Sequence, residues 1–294
     1  MGARWRNHRC AIGIAIALSA TALVGAAAQT SVASVEPNEQ TRARLQNIVK
    51  EILVAWNKAD VICLGEDHGS KNDSDLRIAL VEHSDFVRRV NVIIVESANI
   101  EHQDILDRLV LDGEEMPRQK LRTVWSDATS ADVWESPIYE AFLRAVRKAN
   151  LAVPRHQRVR LIGGDNPKET NRGRFIRDVV SREILSKRLK GLAIYGSGHC
   201  ERRGGGFPGE LESKYPGKIW AASTFYDVEE GRRIFGLGDE PKLIPITGTE
   251  SAKILGGKMF YLGRSNDPTT LSDLFNAIVY FGSARDTKVY PDKR

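Results

Sequence analysis

Two tetrapeptides, Gly65-Glu66-Asp67-His68 and Gly196-Ser197-Gly198-His199, share one design. Each follows an apolar run with the character of a buried strand, Val61-Ile62-Cys63-Leu64 and Leu192-Ala193-Ile194-Tyr195. A glycine turn that ends on an imidazole just past a strand is the place where α/β folds build binding and catalytic sites. A lone histidine in a turn more often caps it through a hydrogen bond. Two such histidines, each after a strand, point instead to one cleft in which His68 and His199 act together. A neutral imidazole can ligate a metal or take a proton near neutral pH.

Carboxylates stand at the matching positions. Glu66 lies in the first tetrapeptide, and Glu96 ends the apolar run Val92-Ile93-Ile94-Val95. One of them could orient a histidine or bind a cation while the other activates water. Two close carboxylates also raise one another's pKa, which suits proton transfer. The alternative for Glu96 is a charge near the start of the next helix. Asp67 fits a turn-stabilising role, with ligation open. Asp165 follows Val159-Arg160-Leu161-Ile162 and two glycines. It reads either as a third acidic or substrate-binding group or as part of an ordinary Asp-Asn-Pro turn. Arg202 and Arg203 open the glycine-rich stretch to Gly209. They are candidates for binding a substrate carboxylate or phosphate, against the alternative of a solvated basic loop. His83, His102 and His156 read as structural or exposed.

Several familiar sites are absent: a P-loop, a G-x-S-x-G elbow, an H-E-x-x-H pair, a dinucleotide fingerprint and a C-x-x-C-H haem attachment. Ser197 lies between glycines but lacks the elbow spacing.

The elements that must carry these residues alternate. Leu45, Ile48, Val49, Ile52, Leu53 and Trp56 have helical spacing over 40–57. Further helices are expected over 71–88, around 105–110, from Pro137 to about 150 and over 170–189. Strands are expected near 60–64, 92–95, 159–162, 191–195 and 219–225. Beyond them, 243–247 and 258–262 have strand character and 271–281 has helix character, while 126–135 reads as a polar loop. Strands alternating with helices predict an α/β fold with a mainly parallel central sheet and helices on both faces. Five expected strands favour an open sheet over a closed barrel. The candidate site residues then fall on one sheet edge.

The 294 residues carry a net charge of +5. The first 28 have the form of a signal peptide: Arg4, Arg6 and Arg9, an apolar stretch from Ala11, and the small residues Ala26-Ala27-Ala28. Cleavage near Ala28 would remove three of the 43 basic residues and none of the 38 acidic ones, leaving about +2. The basic pI therefore carries no nucleic-acid footprint. The expected product is exported, periplasmic or secreted, without a stable membrane span, and acts on a small-molecule ligand or substrate. Residues 29–39 read as a disordered linker and 40–294 as one α/β domain. Cys10 precedes the apolar core and is not placed as a lipoprotein cysteine. Cys63 and Cys200 survive cleavage. An oxidising compartment would permit a bridge between them. A mid-strand cysteine and one beyond a strand end are poorly placed for it, so two small buried residues are expected.

The motifs Gly65-Glu66-x-His68 and Gly196-x-Gly198-His199, with Glu96 ending the second strand, resemble the erythromycin esterase and ChaN-like superfamily. The Gly-x-x-His pair is also similar to the related TraB and Tiki metalloproteases. The resemblance spans about 58–225, and the segment from Gly198-His199 through Pro208 to Tyr215-Pro216-Gly217 is most like secreted bacterial ChaN-like domains. It implies roles for Glu66, His68, Glu96 and His199. Three different functions occur in the group: lactone opening by histidine- and glutamate-activated water, metal-dependent proteolysis, and haem binding. One departure is spacing, since only Asp67 separates Glu66 from His68 where the esterase motif has two residues.

Three expectations follow. The first is an exported hydrolase of a small ester, lactone or amide, its water activated by His68 with Glu66 or Glu96 and its site completed by His199. Glu66, His68, Glu96 and His199 would be the ligands if a divalent metal assists. The second is a haem- or metal-binding envelope protein in which His68 and His199 are the cofactor ligands. The third is a structural relative in which the strand-end polar groups only satisfy one another.

Overall fold

The computed structural model describes residues 35–203, 205–224, 228–254, 269–282 and 286–290. The signal-peptide segment and the 258–262 strand lie outside them. Among the described residues seven strands form one sheet: β1 (Val61–Glu66), β2 (Val92–Asn99), β3 (Arg160–Asp165), β4 (Gly191–Gly196), β5 (Ile219–Thr224), β6 (Lys242–Pro245) and β7 (Ala277–Tyr280). Their order is β3-β2-β4-β1-β5-β7-β6. Every neighbouring pair is parallel except β6 and β7. This is the expected α/β fold.

The longer helices are α1 (Glu39–Ala55), α2 (Lys71–Glu82), α3 (Gln103–Val110), α4 (Pro137–Leu151) and α5 (Arg172–Glu183). Successive strand residues feed opposite faces. Ile62, Leu64, Ile93 and Val95 enter one core with α1, α2 and α4, whereas Val61, Cys63, Val92 and Ile94 enter a second core with α5. Both faces of the inner strands are therefore buried, which explains their continuous apolar runs.

Beyond the five expected strands the sheet has β6, where 243–247 has strand character, and β7, which was not expected. Residues 271–281 do not form one helix. A single turn, Leu271–Leu274, held by a Thr270–Asp273 capping box, gives way to β7. Ala277 to Tyr280 is fully buried between β5 and β6, and such a short apolar run reads equally well as helix or strand until its neighbours are known. The 71–88 helix ends at Glu82, and a second turn follows at Phe86–Arg89. Within the expected loop 126–135, Ala131–Trp134 is helical. Within the glycine-rich stretch, a helix begins at Phe207.

Cys63 and Cys200 are joined by a disulfide, with Cα atoms 5.7 Å apart. The sequence expectation of two unlinked cysteines is thus corrected. The short 3-10 turn Ser197–Cys200 directly follows β4, and β4 lies beside β1, so Cys200 comes within reach of Cys63.

Candidate functional site

Strands β1 and β4 are distant in sequence and adjacent in space, with Glu66 opposite Gly196. On the other side of β4, β2 pairs up to Val95 opposite Ile194, so Glu96 emerges beside the end of β4. Asp165 ends β3 at the same edge. The parallel order thus collects both tetrapeptides and both further carboxylates along one C-terminal rim.

Glycine is required where the two motifs touch. A Cβ on Gly196 would lie 3.0 Å from Nε2 and 3.1 Å from Cε1 of His68. One on Gly65 would lie 2.9 Å from the Ser197 Cα. The missing side chains let the turn after β1 fold over the end of β4.

Each carboxylate is held by an arginine from the helix layer on its own face of the sheet. Strand alternation directs Glu66 to the α2–α4 side, where Arg77 of α2 pairs with its Oε2. The Tyr139 hydroxyl of α4 donates to Glu66 Oε1 at 3.2 Å and accepts from Gly69 N–H at 3.1 Å. Alternation directs Glu96 to the α5 side, where Arg172 Nη2 lies 2.5 Å from Oε1. The Gly196 N–H donates to Glu96 Oε2. Arg172 is braced in turn by Asp165, 3.2 Å from its Nε, and Asp165 Oδ2 accepts from Thr129 N–H at 2.6 Å.

The histidines sit over this base. His68 Nδ1 is 2.8 Å from Glu66 Oε1, and its Nε2 is 3.9 Å from Glu96 Oε2. His199 Nε2 is 3.7 Å from Glu96 Oε1. Trp134 meets the His68 ring edge-on at 4.8 Å and packs likewise against Tyr139. Tyr195 stands edge-on to His199 at 6.0 Å. His68, His199 and Arg172 are 34%, 31% and 29% exposed, whereas Glu66, Glu96 and Asp165 are 4%, 3% and 0% exposed. The strand-end rim therefore presents two part-exposed imidazoles and a guanidinium, with the acids behind them.

Burial lowers the pKa of His68 and of His199, against the pull of Glu96. Both rings are neutral at neutral pH. With Glu66 paired to Arg77, the tautomer carrying its proton on His68 Nδ1 satisfies the contact to Glu66 Oε1 and leaves the lone pair on Nε2. Burial also pushes the Tyr139 hydroxyl up to about 12 and Arg77 down to about 10. Tyr139 stays a neutral donor and Arg77 stays charged.

The four residues expected to act together do meet: Glu66, His68, Glu96 and His199. As arranged, they do not fit a divalent metal. Both carboxylates already face an arginine. Among the described residues no group of three or more His, Cys, Asp or Glu is disposed to hold a metal ion. Asp165 is fully buried, so it positions Arg172 and does not reach a substrate. Arg202 and Arg203 turn to the segment after Thr270: Arg202 Nη1 donates to the Ser272 carbonyl at 3.1 Å, and Arg203 pairs with Asp273 at 3.6 Å. Asp67 pairs with Lys288, and its N–H donates to Asp73 Oδ2 at 2.9 Å, a turn role. His83 ends α2 and accepts from Asp85 N–H, His102 pairs with Asp127, and His156 is exposed.

Arg77, Arg172, Tyr139 and Trp134 were not among the candidates. Arg77 had a signal, since its spacing to Leu80 and Val81 sets it on the apolar stripe of α2. Arg172 had a weaker one, a cation in the first turn of a helix, where the dipole disfavours it. Tyr139 and Trp134 had none: an aromatic residue in a helix reads as core, and Trp134 falls in the expected polar loop 126–135.

No family model and no curated protein sequence matches the chain. Solved structures do. A protein from Bacillus cereus superposes with a TM-score of 0.53 at 12% identity, covering 82% of this chain and 93% of its own. At that identity the likeness shows the fold. The type III effector HopBA1 gives a TM-score of 0.39 at 14% identity, over 60% of this chain and 82% of its own. RRSP, a MARTX toxin effector domain from Vibrio vulnificus, gives 0.30 at 16%, over 58% of this chain and 34% of its own. Among the described residues no helix is long and apolar enough to cross a membrane.

Proposed function

We propose that the protein is an exported hydrolase of a small ester, lactone or amide in which His68 is the general base. The observation that carries this is the 2.8 Å contact between His68 Nδ1 and Glu66 Oε1, with Glu66 itself fixed by Arg77 and Tyr139. A carboxylate that holds one imidazole nitrogen sets the tautomer and frees the other to act as a base. In the proposed step, His68 Nε2 takes a proton from water as the water oxygen bonds to the substrate carbonyl carbon. Arg172, braced by two carboxylates and partly open to the cleft, stabilises the oxyanion that forms. The oxyanion collapses with cleavage of the bond to the leaving oxygen or nitrogen, which takes the proton that His68 Nε2 removed from water, while the neutral His199 completes the site beside it. Glu96 keeps Arg172 and both imidazoles in register.

The motif resemblance to the erythromycin esterase and ChaN-like superfamily supports the same chemistry. The Cys63–Cys200 disulfide supports export, because such bonds persist in oxidising compartments.

The test is a screen of purified protein against esters, lactones and amides, with His68→Ala and His199→Ala alongside and with haem and divalent metals titrated separately. Turnover without added metal, lost in both variants while the far-UV spectrum is kept, is the expected result. Saturable haem binding that depends on the two histidines, without turnover, would replace the hydrolase with a haem carrier.

A further inference from the structure

Residues 286–290 cross the first motif as a strap. Lys288 forms an isolated antiparallel bridge with Ser70. Around it, Lys71 N–H donates to the Thr287 carbonyl at 3.0 Å, and Val289 N–H donates to the Gly69 carbonyl at 2.9 Å. Asn72 N–H donates to Asp286 Oδ1 at 3.1 Å. On the other side, the Ser136 hydroxyl donates to the Val289 carbonyl at 2.6 Å. Ser136 links the Trp134 turn to the helix that carries Tyr139, so the strap ties both aromatic walls of the His68 pocket to the turn bearing His68.

Lys288 is the centre of this strap. Its ammonium donates to the His68 carbonyl at 2.9 Å and pairs with Asp67 Oδ2 at 2.5 Å. Asp67 and His68 are the two residues that leave β1 and arch over Gly196. Fixing a carbonyl and the neighbouring carboxylate with one cation restricts how far the imidazole can swing from Glu66. The contacts of Lys288 are to the backbone and flank of the turn.

We propose that Lys288 is a positioning residue for His68, holding the imidazole in the tautomer and orientation in which Nε2 addresses the cleft. This rests on the hydrolase reading above for its consequence in turnover, but not for its structural content. Its loss would free the turn without removing any group that touches substrate. A small misplacement of a base is expected to lower turnover by about tenfold or more.

The test compares the full-length wild type with Lys288→Ala and Lys288→Arg. Imidazole 15N spectra report the His68 tautomer, with His199 as internal control. Amide exchange of Lys71 reports the strap. In Lys288→Ala, the His68 signals should broaden or move toward a mixed tautomer, and Lys71 exchange should accelerate, while His199 and the melting curve stay near wild type. Turnover should fall in kcat with KM kept, and Lys288→Arg should restore most of both. Wild-type His68 signals in Lys288→Ala would overturn the proposal whether or not a substrate has been found. Absence of turnover in the wild type counts against the hydrolase reading alone, since the spectra decide the positioning role independently. A general loss of folding in Lys288→Ala, not rescued by arginine, would also overturn it, because Lys288 would then be a stability residue.

Discussion

His68 and Glu66 are two residues apart in sequence and share a 2.8 Å contact between Nδ1 and Oε1. They form that contact because the chain between them leaves the strand and turns back over its neighbour. The pair should therefore act as a unit. His68→Ala and Glu66→Gln are each expected to lower kcat by about 10²–10⁴-fold, and the double variant should be little worse than either single one. Steady-state kinetics of the three variants check this. Independent, multiplying losses would show that Glu66 does not work through His68.

The pH profile has a definite sign. Burial holds His68 and His199 below the ordinary 6.5. The neutral base is the active form, so turnover should rise with pH through a midpoint below 6.5 and then level off. Stability follows the same direction. Between the lowered folded pKa and 6.5 the unfolded chain binds more protons, so the contribution of the neutral rings is complete above 6.5 and is lost as pH falls through that window. An activity midpoint well above 6.5 would contradict a His68 whose pKa is lowered.

Arg77 is nearly inaccessible and faces Glu66 from inside the core. Arg77→Leu leaves a buried carboxylate without its cation, at an expected cost of about 3–5 kcal/mol. Adding Glu66→Gln should recover part of the loss. Denaturant unfolding of the single and double variants measures both effects, and a single-variant loss below about 1 kcal/mol would place the pair in a surface-like environment.

Asp73 lies buried in the first turn of α2, and burial raises its carboxyl from 3.8 to about 7. The folded chain then binds a proton that the unfolded chain releases between those values. This contribution is full below 3.8 and declines as pH rises toward 7. Asp73→Asn should flatten that decline in a stability–pH series. A variant with the wild-type slope would show that Asp73 is ionised throughout.

The Cys63–Cys200 disulfide closes a long loop, with a sequence separation of 137. It also ties the residue beside His199 to the strand that ends in Glu66. Replacing both cysteines by alanine should lower stability by about 2–4 kcal/mol. Comparing unfolding of wild type and variant, with and without reductant, provides the check: the variant should be indifferent to reductant. A wild type equally indifferent would mean that the thiols are not bonded.

The layered α/β fold was legible because its inner strands are buried on both faces and leave unbroken apolar runs between amphipathic helices. The meeting of Glu66, His68, Glu96 and His199 was legible for a related reason. Parallel strands put all their C-terminal ends on one edge, so any polar group just past a strand becomes a neighbour of the others. What the sequence could not supply was lateral order. That β4 lies between β1 and β2 decides that Glu96 reaches both histidines, and it follows from packing among distant segments. The same holds for Arg77 and Arg172. Local pattern marks them as helix residues, and only the sheet's two faces show that each neutralises the carboxylate projecting toward it. The disulfide and the β7 strand were missed for one cause: four to six residues of local sequence do not say which distant backbone will lie beside them.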